Sequence, residues 1–204
     1  MATLGELKAR IAREMDRDDL TADIADAIPR AIEFYAASRF KFNENTATIT
    51  TTANVDTVAL PSGLRFEDNS GVFITVGGFK YQLEKVDRTR LQYWQSTQNL
   101  VGQPVEYAIE TGQMRLFPTP NQAYEILLLG VYDISLPATD NNSNAWTTTA
   151  EDLIAARARY QLARDVTYDT EMAGSALTAA REAFDRLMRE TSRQLTENRT
   201  AANW

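Results

Sequence analysis

Apolar residues near the start of the chain recur at steps of three and four: Leu4, Leu7 and Ile11, with Thr3 standing three residues before Glu6. That spacing predicts an amphipathic helix opened by a capping box, in which Thr and Glu side chains reciprocally satisfy free backbone N–H groups. Asp16, Asp18 and Asp19 break the stripe. A second stripe, Ile24, Ala27, Ile28, Ala31, Ile32 and Tyr35, predicts a helix from about Thr21 to Phe40. Pro29 sits inside it. It lacks a backbone donor and its ring crowds the preceding turn, so a kink or an interruption is expected there.

From Asn45 the period changes. Thr46 to Thr52 is rich in Thr and Ile without helical spacing, and Val55 to Leu60 follows as a second short strand. Val72 to Val76, the pair Gly77-Gly78, and Phe79 to Leu83 read as a hairpin with a two-residue turn. Asp87 to Ser96 reads as a short helix or loop carrying Leu91, Tyr93 and Trp94. Val105 to Glu110, a Thr111-Gly112 turn and Met114 to Phe117 form the next strand pair. Pro118 and Pro120 then bracket a bend before the longest strand, Tyr124 to Asp133. Hairpin connections throughout predict an antiparallel sheet or small sandwich.

Helical spacing returns at Thr149, which has capping-type spacing to Asp152, and continues through Leu153, Ile154, Ala158, Leu162 and Val166. A last stripe from about Met172 to Leu195 carries Ala173, Leu177, Ala180, Phe184, Leu187, Met188 and Thr191. After it the chain is polar up to Trp204. No helix pair buries its stripe alone, so the two ends of the chain are expected to close on each other. The fold class expected is α+β. A discontinuous four-helix core (two N-terminal helices in 1–44, two C-terminal helices in 146–195) holds an inserted antiparallel β-rich module at 45–145, with an extended arm at 196–204.

Composition narrows the chemistry. The 204 residues contain no Cys and no His, so thiol nucleophiles, Cys/His zinc sites and His-based triads are excluded. An enzyme is therefore disfavoured, and no cofactor or metal is expected. Net charge is −7, from 28 acidic and 21 basic residues, which argues against tight binding of duplex phosphates. The first residues show no basic stretch followed by an apolar one, and the longest apolar run, Ile126 to Leu129, is too short to span a bilayer. Synthesis and folding in a cytoplasm are expected.

Four features carry candidate chemistry. Asp140, Asn142, Asn144 and Glu151 occupy the first, third, fifth and twelfth places of a calcium loop, but Ala145 stands where such loops need Gly. A polar connector is the better reading. Arg181, Arg186, Arg189 and Arg193 form a basic series, with Glu182 and Asp185 placed four residues before Arg186 and Arg189. This predicts an ion-paired, solvated face rather than an anion site. Phe34, Tyr35, Phe40 and Phe42 read as core, at the floor where helices meet the β module. Trp204 ends a polar tail and is either an incidental terminus or an anchor for another subunit.

Several stretches together resemble the head-to-tail adaptor (connector) proteins of tailed bacteriophages. These are Thr3 to Ile11, Ile24 to Ile28 running on to Phe40-Lys-Phe-Asn43, Leu60-Pro61, Gly102 to Ile109, Leu116 to Pro120, and Trp146 before Glu151-Asp-Leu-Ile154. The resemblance implies a structural virion protein of the neck, with no catalytic residues. It implies a ring of about twelve copies matched to the portal's cyclic symmetry. The C-terminal arm would clip onto the portal, with Arg193, Leu195, Arg199 and Trp204 as contacts. The β region would face the tail or further neck proteins, and genomic DNA would pass through the channel without sequence-specific binding. The competing reading is a tail-associated β module that binds a glycan or receptor through rings such as Tyr93 and Trp94.

Overall fold

The computed structural model describes residues 2–65 and 71–201, with side chains described up to residue 193. The chain divides into two compact units, Met1–Asn43 with Ile134–Trp204, and Glu44–Asp133. Ile134 and Leu136 pack on the helical core, and Leu4 N–H and Gly5 N–H donate to the carbonyls of Asn142 and Asp140. Residues 134–145 therefore belong with the helices and not, as expected, with the β module.

The first unit contains α1 (Leu4–Met15), α2 (Thr21–Ala36), a 3-10 turn at Lys41–Asn43, α4 (Ala145–Thr148), α5 (Glu151–Asp165) and α6 (Thr170–Ala201); the intervening helix α3 (Arg88–Thr97) lies in the second unit. The capping box at Thr3 and Glu6 forms, and α1 buries Leu4, Leu7, Ile11 and Met15. Helix α2 runs without interruption through Pro29, which lies on its exposed side. The expected break is absent because the neighbouring Ala27, Ile28, Ala31 and Ile32 are all buried, and that packing holds the turn together.

Helix α5 is the centre of this unit and packs against α1, α2, α4 and α6. Its buried residues go round most of its circumference, and Ala155, Ala156, Ala158 and Ala163 are among them. Small side chains let neighbouring backbones come close, and α6 answers with Ala176, Ala180 and Ala183. Thr149 does not cap α5, whose N-cap is Ala150 with no side-chain bond. Asn144 instead caps the single turn of α4, through a capping box with Thr147. The last helix also departs from expectation, since its backbone is helical through Ala201 and not only to Leu195.

The second unit is a two-sheet sandwich with a helix on one face. One sheet has the order β1 (Glu44–Thr50), β11 (Glu125–Tyr132), β4 (Val72–Val76), β5 (Phe79–Gln82), with β3 (Leu64–Arg65) also on β11. The other runs β2 (Thr57–Ala59), β9 (Gln113–Phe117), β8 (Glu106–Glu110), β6 (Glu84–Lys85). Val72, Ile74, Ile126 and Leu128 of the first sheet meet Tyr107, Met114 and Leu116 of the second in one apolar cluster. On the far face of the second sheet, Leu91 of α3 packs on Ala108 and Phe117. The period-two alternation of β8 and β9 accounts for both contacts.

The hairpin at Gly77-Gly78 forms, with both glycines at positive φ as a tight hairpin turn requires. The module is not wholly antiparallel, however. β6 pairs parallel with β8, and β7 (Val101–Gly102) pairs parallel with β10 (Thr119–Pro120). Each parallel pair is only two residues long and joins segments separated by α3 or by the β8–β9 hairpin, so no short-range signal marks it.

Candidate assembly surfaces

The aromatic residues of the helical unit form a connected series. Phe42 meets Trp146 at 5.2 Å and stacks on Phe40 at 5.0 Å. Phe40 then contacts Phe184 of α6, which stacks on Tyr35 at 5.6 Å. Trp146 is 1% exposed, and its indole N–H donates to the Ile134 carbonyl at 2.8 Å. Thr191 fastens the segment after α2 to α6, since its hydroxyl accepts from Lys41 N–H at 3.0 Å and donates to the Leu187 carbonyl at 2.9 Å. Phe34 departs from the core reading and is 57% exposed.

Phe34 instead borders an open groove of about 460 Å³ lined also by Arg157, Leu177, Arg181 and Phe184. The Arg157 guanidinium lies 3.6 Å from the centre of the Phe34 ring, close enough for a strong cation–π contact. Its Nε is buried and has no hydrogen-bond partner among the described residues. The surface thus combines apolar rings with a partly shielded cation. The sequence carried no local signal for it, because Phe34 and Arg157 are brought together only by the packing of α2 on α5.

Charged residues build a second surface. Arg10 of α1 donates to Glu14 at 2.7 Å and to Glu151 at 2.9 Å, and pairs with Asp152 at 2.9 Å. The other Asp152 oxygen accepts from Arg186 of α6 at 2.6 Å. Arg159 Nε comes within 2.9 Å of Glu14, but off the N–H axis, so this is a charge contact rather than a hydrogen bond. The network ties α1, α5 and α6. Arg186 was expected to pair within its own helix, but its hydrogen bond goes to Asp152 of the neighbouring one.

The hydrogen bond from Arg186, reinforced by Arg10, holds the Asp152 carboxyl below the usual carboxylate range. A depressed folded-state pKa adds stability above the unfolded value of about 3.9, and that stability is lost as pH falls through the folded value. Asp152→Asn should therefore lower stability at pH 7, and the side chain's half-exposure limits the loss to about 0.5–1 kcal/mol. The difference from the parent should shrink progressively below about pH 4. Paired denaturant melts at pH 7 and pH 3 check this, and an unchanged difference at both would remove the ion pair as its cause.

The calcium-like residues are each engaged elsewhere. Asp140 pairs with Lys8 at 2.6 Å, and the Asn142 side chain accepts from the Thr139 hydroxyl. Asn144 caps α4, and Glu151 accepts from Arg10. Among the described residues, no group of three or more Asp or Glu side chains is placed to hold a metal ion.

Of the expected portal contacts, Arg193 is exposed on α6. Leu195 and Arg199 fall on the helical backbone of α6, but their side chains lie outside the described residues, as does Trp204 altogether. In the second unit, Trp94 stacks on Phe117, with ring centres 6.4 Å apart, while Tyr93 is 60% exposed. Trp94 is thus held by packing, which leaves Tyr93 as the open ring of that pair. Among the described residues no helix is long and apolar enough to cross a membrane.

The family model described as SU10 adaptor protein matches residues 2–203. The chain belongs to the SU10 adaptor protein family. Curated proteins yield no match. Membership bears out the resemblance to phage head–tail adaptors and gives the chain a structural, non-catalytic role. It also makes the adaptor a virion component that associates with other phage head and tail proteins.

Proposed function

We propose that the chain forms a closed ring beneath the portal, of about twelve copies if it follows the portal's cyclic symmetry. The ring extends the DNA channel and offers the tail a docking surface. The observation that carries this reading is the family match along nearly the whole chain. The length of α6 supports the attachment step. Its backbone is helical through Ala201, past Leu195, where the apolar stripe of the sequence ends. A helix that runs on past the apolar stripe of its sequence supports an arm that reaches another subunit. Arg193, Leu195, Arg199 and Trp204 are its proposed contacts with the portal. The excess of carboxylates, giving a net charge of −7, suits a channel that DNA phosphates pass without sticking.

Deleting residues 196–204 tests the arm. The isolated truncated protein should keep its melting temperature, while attachment to DNA-filled heads is lost. Calorimetry reads the first result, and native mass measurement with and without portal reads the second. A truncated protein that still assembles and gives particles at normal titre removes the arm from the proposal. A truncation that unfolds the isolated protein assigns the segment to the chain's own core.

A further inference from the structure

We propose that β5 of one copy pairs, antiparallel, with β1 of the next, so that one sheet of the β unit runs on from subunit to subunit; this rests on the ring reading. Both strands are edges of the same sheet, whose order is β1-β11-β4-β5. An edge strand presents a row of unpaired N–H and C=O groups, and proteins normally blunt or cover it. All four residues of β5 are exposed, Phe79 at 69% and Tyr81 at 50%. Lys80 is the only charged residue in the strand, and no proline interrupts it.

The register shows which amides point out of the sheet. Leu83 N–H donates to Val72 O, so the pairs Ile74–Tyr81 and Val76–Phe79 bond to each other, and the amides of Lys80 and Gln82 point away from β4. On the other edge, Thr51 N–H donates to Tyr124 O. By the same alternation Ala47 and Ile49 bond β11, and the amides of Thr46 and Thr48 point outward. Among the described residues these four outward amides make no backbone bond, and that of Thr46 is held by the Asn45 side chain at 2.8 Å.

The side chains agree with this arrangement. Tyr81 lies opposite Ile74 and Phe79 opposite Val76, so both rings continue the sheet face that carries the apolar core. Ala47 and Ile49 lie opposite Leu128 and Ile126, on that same face at the other edge. An antiparallel pairing with Phe79 opposite Ile49 and Tyr81 opposite Ala47 places ring against aliphatic side chain at non-hydrogen-bonded positions, where side chains stand closest. It also sets Lys80 opposite Thr48 and Gln82 opposite Thr46, polar against polar, with their outward amides on the shared edge; the Thr46 amide exchanges its local bond to Asn45 Oδ1 for the ladder. One register thus satisfies both faces and the ladder.

Strand direction fits too. β1 and β11, β11 and β4, and β4 and β5 are each antiparallel. β5 therefore runs opposite to β1. A cyclic axis along the strands keeps these directions in every copy, so the junction between β5 and the next β1 is antiparallel without further adjustment. A head-to-tail contact of this kind closes a ring and does not stop at a dimer.

Cross-linking tests the register, because the chain has no cysteine of its own. In the full-length variant Ala47→Cys with Tyr81→Cys, the two cysteines of one copy are separated by three strand steps, about 14 Å, beyond disulfide reach. Across the proposed junction they are about 4.5 Å apart at Cα, within reach. Rings assembled on portal and oxidised should give a ladder of covalent oligomers on a denaturing gel. Tyr81→Cys alone should give none. Lys80→Pro, at an amide that β4 does not use, should leave the isolated chain folded and abolish ring assembly.

Rings that form without a ladder overturn the edge pairing and leave the ring itself standing, as does Lys80→Pro assembling normally. A covalent dimer from Tyr81→Cys alone overturns it by showing β5 against β5. No ring of any kind in the presence of portal overturns both this pairing and the ring reading.

Discussion

Trp146→Ala should lower the stability of the chain by about 3–5 kcal/mol and the melting temperature by on the order of 10 °C. The indole is 1% exposed, sits edge-on to Phe40 and Phe42, and hydrogen-bonds the Ile134 carbonyl. Truncation to Ala opens a cavity beneath the start of α5 and leaves that carbonyl unpaired. The aromatic neighbours cannot fill the space, because Phe40 is itself fully buried and fixed against Phe184. Trp146→Phe separates the two contributions. It keeps much of the packing but loses the N–H and part of the bicyclic ring, so its cost should be nearer about 1–3 kcal/mol. Calorimetry of the three proteins reads both effects, and equal melting temperatures for parent and Ala variant would show that the ring is not part of the core.

Pro29→Ala should act in the opposite sense, raising stability by about 1–3 kcal/mol. The proline occupies an exposed interior position of a helix that runs from Thr21 to Ala36. It has no N–H to give to the Ala25 carbonyl, and its ring crowds that carbonyl. Alanine restores the bond, relieves the crowding and is the best helix former. Part of the gain is offset because proline also restricts the unfolded chain. Thermal and urea melts with unchanged m-value check the prediction. A destabilised Ala variant would show that the proline shapes the helix in a way the core needs. A more stable variant that assembles poorly would place Pro29 at a contact with another subunit.

The features legible in the sequence were those whose cause lies within a few residues. The Thr3–Glu6 capping box, the Gly77-Gly78 hairpin, the buried stripe of α2 and the β8–β9 strand pair follow from backbone sterics, turn residues and local periodicity. The family resemblance was legible for a related reason, since it rested on the order of short local patterns along the chain. The absence of Cys and His excluded whole classes of chemistry before any contact was known.

The tertiary structure decided what depends on residues far apart. Asn144, and not Thr149, became the cap, because residues 134–145 turn back onto α1 and present Trp146 to the helical core. Arg186 left its own helix for Asp152, because α5 packs close enough to offer a carboxylate already held by Arg10. The two parallel strand pairs, the strand order that leaves β1 and β5 at the edges, and the meeting of Phe34 with Arg157 have the same origin. Each joins residues whose separation along the chain carries no periodic signal. Only the burial of apolar faces in three dimensions brings them together.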